Sequence, residues 1–137
     1  MTVSKFPMRR WMLWAAMFAF TALAGCAPTD PADHVSLEQA RADLEAGKVM
    51  LVDIRETREH LTGVAQGAVL LPMSELPQKQ SLLPKDLDQP VLLICNTQNR
   101  SKATFQSLKK QGYQNIRYVD GGMSQWAAKG WPMVAPQ

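Results

Sequence analysis

The stretch PVLLICNTQNRS, residues 90–101, decides the fold of this chain. Its apolar half predicts a buried central strand over residues 91–95. A helix is predicted to begin at Ser101 or Lys102 and to end at Gly112. The short polar loop between them places the thiol of Cys95 at the end of a strand and beside the positive end of a helix dipole. Because such a position stabilises a thiolate or a charged sulfur species, the pattern predicts a nucleophilic or sulfur-carrying cysteine.

Short apolar strands and helices alternate on both sides of this stretch. Further strands are predicted at residues 49–54, 68–71 and 116–119. Helices are predicted at residues 36–46 with Ser36 as N-cap, at 57–62, at 74–83 with Ser74 as N-cap, and at 123–129. This order predicts an α/β fold of three layers, in which helices cover both faces of a central parallel sheet. Ligands bind at the carboxyl ends of such strands, which is where Cys95 lies.

The first 25 residues have the composition of a secretory signal. Lys5, Arg9 and Arg10 precede a 13-residue apolar stretch, residues 11–23, and small residues follow. That stretch is too short for a membrane span, which needs about 20 residues. The sequence LAGC at residues 23–26 resembles the bacterial lipobox, which implies cleavage before Cys26 and lipidation of that residue. An uncleaved N-terminal anchor is the alternative.

The resemblance to the lipobox also predicts the location of the protein. Ala27 follows the cysteine, which by the sorting pattern of Gram-negative lipoproteins favours the outer membrane. We therefore expect a signal peptide at residues 1–25, a lipid-anchored tether at residues 26–35 and a domain at residues 36–134, on the periplasmic face of the cell envelope. The predicted partner of Cys26 is the membrane. His34, at the end of the tether, is expected to be exposed to solvent.

Charge and cysteine content exclude several classes of function. The formal net charge of +3 arises from residues 1–25, and the remainder carries 12 basic and 12 acidic side chains, so nucleic acid is not an expected partner. With Cys26 lipidated, Cys95 is the only free thiol, and a thioredoxin-like mechanism with a resolving cysteine is excluded. His60 has no partner at metal-ligand spacing. We expect no metal, no organic cofactor and a monomeric protein.

Four separated blocks resemble the single-domain rhodaneses, which are thiosulfate-type sulfurtransferases. They are LVDIRE at residues 51–56 with Glu59 and Gly63, then Gly67-Ala68 with Pro72, the loop at 95–101, and VDGGMSQW at 119–126 followed by GWP at 130–132. The resemblance implies a rhodanese-like domain. It also implies that Cys95 takes a sulfane sulfur from a donor such as thiosulfate or a persulfide, holds it as a persulfide and passes it to a thiol or cyanide.

The resemblance assigns roles to the residues of the loop and of the first block. Cys95 is the catalytic sulfur carrier. Arg100 has two possible roles, to attract an anionic donor or to brace the loop through a carboxylate. Asp53 and Arg55 are expected to support the structure at the sheet edge, since buried charges are usually paired. The backbone N–H groups of the substrate-binding loop form a cradle for the sulfur: Asn96, Thr97, Gln98, Asn99, Arg100 and Ser101.

Loop length and composition distinguish the possible chemistries. Four residues separate Cys95 from Arg100, as in rhodaneses, whereas phosphatase and arsenate reductase relatives have five and usually carry histidine where Ile94 stands. Gln98 occupies a position where many active rhodaneses carry glycine, and a left-handed backbone there would cost about 1 kcal/mol. A non-catalytic rhodanese-like binding module is therefore the alternative function. The loop lacks a basic residue at positions 96 and 97, so thiosulfate is expected to be a poor donor.

Overall fold

A computed structural model describes residues 31–137, which form a five-stranded parallel sheet in the order β1-β5-β4-β2-β3. Single 3-10 turns lie at Pro31–Asp33 and Gln80–Leu82. The strands are β1 His34–Val35, β2 Met50–Asp53, β3 Val69–Leu70, β4 Val91–Ile94 and β5 Ile116–Val119. The helices are α1 Leu37–Glu45, α2 Thr57–His60, α3 Leu76–Lys79, α4 Asn99–Lys110 and α5 Gly122–Ala128.

Helices cover both faces of the sheet, which confirms the predicted three-layer α/β architecture. Successive side chains of β4 point to opposite faces, so Leu93 and Leu92 enter two different apolar clusters. The first cluster includes Leu108 from α4, and the second includes Ala40 from α1 and Trp126 from α5. Burying each large side chain contributes about 1.5–3 kcal/mol, which makes the central strand a rigid base for the loop that follows it.

The central strand is shorter and the helix after it begins earlier than the sequence pattern predicts. β4 ends at Ile94, and α4 begins at Asn99 rather than at Ser101 or Lys102. Arg100 and Ser101 therefore lie in the first helical turn and not in the loop. The connection between strand and helix is only four residues, 95–98.

The sheet also begins earlier than the predicted domain boundary. Residues 34 and 35, placed in the tether by the sequence, form β1, in which His34 pairs with Tyr118 and Val35 with Val119 of β5. His34 is partly buried rather than fully exposed, and its Nδ1 lies 2.7 Å from Oδ2 of Asp120. A two-residue strand has no sequence period of its own, so only its pairing with β5 reveals it.

Of the two serines predicted to cap helices, Ser36 does so and Ser74 does not. The Oγ of Ser36 accepts the N–H of Gln39 at 3.1 Å, so the first cap is confirmed. Ser74 does not cap α3, which begins after Glu75. Its hydroxyl instead donates to the carboxylate of Glu56 at 2.7 Å, because the turn after β3 brings it beside α2.

The N-terminal predictions fall on residues that the structure does not describe. The signal peptide, Cys26 and the tether up to residue 30 lie outside the range 31–137. Within that range, no helix combines the length and apolar character that crossing a membrane requires.

Candidate active site

Cys95 lies at the carboxyl end of the central strand, as predicted. The N–H of Ile54, after β2, donates to the carbonyl of Ile94 at 2.9 Å, so the neighbouring strand runs beside β4 up to this point. The turn after β5, at Asp120, reaches the same edge of the sheet. Cys95 itself is completely buried. The sheet therefore presents a buried thiol at the edge where parallel sheets bind their ligands.

Ser101 is the residue of α4 that contacts the sulfur. Its backbone N–H points at the Sγ of Cys95 over 3.4 Å, and the thiol donates to its Oγ at 3.5 Å. That Oγ in turn donates to the carbonyl of Gln98 at 3.0 Å. Of the six predicted cradle N–H groups, that of Ser101 is the one within hydrogen-bond distance of the sulfur in the described part of the chain. It comes from the first turn of α4, where the helix dipole favours negative charge.

The N-terminus of α5 holds the other side of the loop. Met123 donates its N–H to the carbonyl of Cys95 at 2.8 Å, and Ser124 donates to that of Asn96 at 2.9 Å. Because C=O and N–H point in opposite directions across a planar trans peptide, the N–H groups of Asn96 and Thr97 face away from α5. This contact therefore sets the orientation of the first two peptide groups of the loop.

Gly122 makes that contact possible. A Cβ at this position would overlap the carbonyl oxygen of Cys95 and would lie 2.6 Å from the carbonyl carbon and oxygen of Asn96. Its φ of +57° is also in the left-handed region that favours glycine. Gly121, with a φ of +78°, and Gly122 therefore form a tight turn beside the loop.

Gln98 fits the loop without strain. Its φ is −170°, which is extended backbone, and all described residues with positive φ are glycines. The cost of about 1 kcal/mol that a left-handed backbone at Gln98 would carry therefore does not arise. The side-chain Oε1 accepts the N–H of Gly121 at 3.4 Å, so Gln98 connects the loop to the turn that precedes α5.

Arg100 is held by Glu59 of α2. Its two terminal nitrogens each lie 2.7 Å from one oxygen of the Glu59 carboxylate, a bidentate arrangement. The hydrogen bond from Arg100 lowers the pKa of Glu59 to about 2. The pKa of Arg100 is raised, first by this hydrogen bond and also by the charges of Glu59, Cys95 and Glu56. Of the two roles left open by the sequence, the geometry is that of a brace through a carboxylate.

Asp53 and Arg55 form a buried ion pair at the end of β2. Arg55 Nη2 lies 2.6 Å from Asp53 Oδ2, and its Nε lies 3.0 Å from both oxygens. Arg55 also donates to the carbonyls of Glu59 at 3.3 Å and Gly63 at 2.8 Å. The pair therefore ties the end of β2 to both ends of the segment that carries Glu59. Asp53 and Arg55 are therefore paired with each other and in a position to support the segment that carries Glu59.

Comparison with known proteins identifies the family. Residues 36–129 match the rhodanese-like domain family. The chain belongs to that family. It is 40% identical over 105 residues to a curated sulfurtransferase of Allochromatium vinosum, which covers 77% of this chain and 94% of the relative.

Solved structures agree with this assignment to the rhodanese-like family. A rhodanese-related protein of Thermoplasma volcanium is 28% identical, with a TM-score of 0.60, and the match covers 75% of this chain and 98% of that one. The human single-domain sulfurtransferase TSTD1 is also 28% identical, with a TM-score of 0.62 and coverage of 71% and 96%. The chain is therefore a member of a sulfurtransferase family along nearly the full length of these relatives.

Sequence reasoning missed three contributors to this rhodanese-like site. Glu59 belongs to a block that matches the family, but the sequence assigned it no role. It lies three residues after Glu56, the spacing at which the last residue of a capping box reaches back to the helix start. In the structure its Oε2 accepts the N–H of Glu56 at 2.9 Å. The N–H groups of Met123 and Ser124 carry no sequence signal, because any residue but proline supplies one.

His60 is buried beside the ion pair. Its Nε2 lies 3.5 Å from Asp53 Oδ1 but is not aligned for a hydrogen bond. No group of three or more histidine, cysteine or acidic side chains that could hold a metal ion occurs within residues 31–137. His60 is therefore a buried residue that packs against the Asp53–Arg55 pair.

Proposed function

We propose that this rhodanese-like protein is a sulfurtransferase that works through a persulfide on Cys95. The observation that carries the proposal is the placement of Cys95 at the end of β4 with the Ser101 N–H directed at its sulfur. The four-residue spacing between Cys95 and Arg100 and the sulfurtransferase relative at 40% identity support it. The donor is thiosulfate or a persulfide, and the acceptor is a thiol or cyanide.

The chemistry is two successive substitutions at sulfur. The Cys95 thiolate attacks the outer sulfur of the donor, the sulfur–sulfur bond of the donor breaks, and sulfite or a thiolate leaves with the electron pair. The acceptor then attacks the outer sulfur of the Cys95 persulfide, and the Cys95 thiolate leaves. Negative charge rests on the sulfur before and after each step. The Ser101 N–H and the first turn of α4 stabilise that charge without moving a proton.

The remaining site residues position this loop. Arg100, held by Glu59, fixes the first turn of α4 against α2. Asp53 and Arg55 hold the segment from which Glu59 projects. The loop residues Asn96, Thr97, Gln98 and Asn99 supply the surface over which a donor approaches, since all four are exposed.

We also propose that the domain is anchored by a lipid on Cys26 at the periplasmic face of the envelope, with the outer membrane favoured. The support is the signal-like composition of residues 1–25 and the LAGC sequence at 23–26. The test is fractionation of cells that express the full chain or its Cys26→Ala variant. Membrane association that is lost in the variant supports the anchor, and equal association of both chains contradicts it.

One observation favours a second function. The side chain of Cys95 has no exposed surface, so a donor reaches its sulfur only when the loop moves. A rhodanese-like module whose loop stays closed would bind a partner through the sheet edge without transferring sulfur. This is the non-catalytic alternative, and it predicts a cysteine that no donor modifies.

Intact-mass spectrometry distinguishes these functions. The full chain is purified in detergent and incubated with thiosulfate, a polysulfide or a persulfidated small thiol, beside its Cys95→Ala variant. A gain of one sulfur in the parent chain, absent from the variant and reversed by cyanide or a thiol, supports the transferase. No adduct from any donor, on folded protein whose thiol titrates after unfolding, supports the binding module.

A further inference from the structure

The N-termini of two helices meet at the reactive cysteine. Ser101, in the first turn of α4, directs its N–H at the Sγ of Cys95 over 3.4 Å. Met123, in the first turn of α5, donates its N–H to the carbonyl of Cys95 at 2.8 Å. Cys95 therefore lies in the gap between the starts of α4 and α5, where its side chain has no exposed surface.

One side chain crosses the outside of this gap. Gln98 immediately precedes the first turn of α4, and Gly121 holds the same position before α5. The side-chain Oε1 of Gln98 accepts the N–H of Gly121 at 3.4 Å. Gln98 is exposed and Gly121 is partly exposed, whereas Cys95 is buried. The carboxamide therefore connects the two helix starts on the solvent side of the sulfur, and we call this connection the Gln98 bar.

Opening the Gln98 bar does not require the backbone to move. The carbonyl of Gln98 accepts the Ser101 hydroxyl at 3.0 Å and the Lys102 N–H at 2.9 Å, so α4 holds the main chain at this position. Within residues 31–137 the side chain of Gln98 has one hydrogen bond, and its length of 3.4 Å exceeds the usual range for an N–H···O bond. Rotation about the side-chain torsions of Gln98 breaks this bond and clears the gap.

The neighbouring loop side chains do not connect the two helices. Asn96, Thr97 and Asn99 are exposed, and their side chains form no hydrogen bond to any other described residue. The link between Asn96 and α5 is made by the backbone, because its carbonyl accepts the N–H of Ser124 at 2.9 Å. Gln98 is therefore the loop residue whose side chain controls the width of the gap.

We infer that the Gln98 bar determines how wide a donor or acceptor can be and still reach the sulfur of Cys95. The inference rests on the proposed function and narrows its substrates to persulfides and thiols whose sulfur is carried on a slender end. Because a carboxamide has no charge, the selection acts on the width of the substrate and not on its charge.

Alkylation of Cys95 by a narrow and a wide reagent of the same chemistry tests the bar. The full chain in detergent is treated with N-methylmaleimide or N-benzylmaleimide, and mass spectrometry of the peptide that carries Cys95 gives each rate constant. The ratio of the rate constant for the wide reagent to that for the narrow one is expected to rise about threefold in Gln98→Ala, a factor within the range for one lost hydrogen bond. A change in the reactivity of the thiolate affects both reagents and cancels in the ratio.

Two further variants show whether the span of the side chain is what matters. Gln98→Asn keeps the carboxamide but is shorter by one methylene, so it cannot span a bond that is already 3.4 Å long, and its ratio is expected to match that of Gln98→Ala. Gln106→Ala removes another exposed glutamine of α4 and is expected to keep the parent ratio. A parent ratio in Gln98→Ala or Gln98→Asn, or an equal rise in Gln106→Ala, would overturn the inference.

The alkylation test is independent of sulfur transfer, because it needs no sulfur donor. If the ratio rises in Gln98→Ala but no donor loads a sulfur on Cys95, the proposed function fails and the inference about substrates falls with it. If donors load a sulfur on Cys95 while the ratio is the same in Gln98→Ala and in the parent chain, the sulfurtransferase stands and the bar does not select its substrates.

Discussion

Replacing Gly122 by alanine should release the active loop from α5. The new Cβ would overlap the carbonyl oxygen of Cys95 and approach the carbonyl of Asn96 to 2.6 Å, so the backbone of one element must shift. Such overpacking costs about 1–3 kcal/mol. The φ of +57° adds about 1–2 kcal/mol for a residue with a side chain. Together these effects predict a loss of about 2–5 kcal/mol in the free energy of unfolding.

The chain offers a matched control that separates the two contributions. Gly130 has a φ of +65° and no atom within 4 Å of its hypothetical Cβ, so Gly130→Ala carries the backbone cost without the overlap. At about 4–8 °C per kcal/mol for a domain of this size, Gly122→Ala should lower the Tm by at least about 8 °C, and by more than Gly130→Ala, which lacks the overlap.

Thermal unfolding and thiol alkylation measure the two consequences of Gly122→Ala. Circular dichroism gives the Tm of each variant. Alkylation of Cys95 below the transition reports whether the loop has opened, and it should be faster in Gly122→Ala than in the parent chain and in Gly130→Ala. Equal Tm values and equal alkylation rates for the two variants would refute the close contact between Gly122 and the loop as a determinant of its shape.

Three further predictions concern the ion pairs and the contacts of the sulfur. The pKa of Glu59 is lowered to about 2 in the folded state, so the stability that it contributes is complete above about pH 4.5 and is lost as the pH falls towards 2. Urea unfolding should show a loss of about 1–3 kcal/mol in the free energy of unfolding over this range. The loss should be absent in Glu59→Gln. The expected loss in the free energy of unfolding is set below what the pKa shift alone implies, because solvent screens a carboxylate that is 27% exposed. Asp53→Asn leaves the buried Arg55 without its charge partner and should cost about 3–5 kcal/mol in urea unfolding, whereas an unchanged midpoint would mean that the pair is not needed for stability. Ser101→Ala removes the hydroxyl 3.5 Å from the sulfur of Cys95 but keeps the backbone N–H. Sulfur loading of Cys95, followed by mass spectrometry, should therefore slow by about tenfold rather than stop. Complete loss of loading would show that the hydroxyl is essential.

The order of strands and helices could be predicted because each carries its own local signal. Residues 91–94 form an unbroken apolar run, which is typical of a strand buried on both faces, and Gly112 follows the last turn of the helix after it. The elements that were missed or misplaced lack such signals. β1 has two residues, and Ser74 resembles a helix cap in sequence while its hydroxyl binds Glu56 across the fold.

By itself, the sequence indicated which residue to propose for the chemistry. It places Cys95 directly after the central strand, sets four residues between it and Arg100, and matches the rhodanese pattern in separate blocks. These features are local, since they depend on residue type and spacing along the chain.

Only the tertiary structure decided what surrounds that cysteine. Glu59 lies 41 positions before Arg100, and the N–H groups that hold the loop belong to the helix after β5. Parallel strands need long crossovers, so residues that are distant along the chain meet at one edge of the sheet. The charge of the site is therefore a property of the fold: Arg100 is a free cation in the sequence and half of an ion pair in the structure, because α2 carries a carboxylate to it.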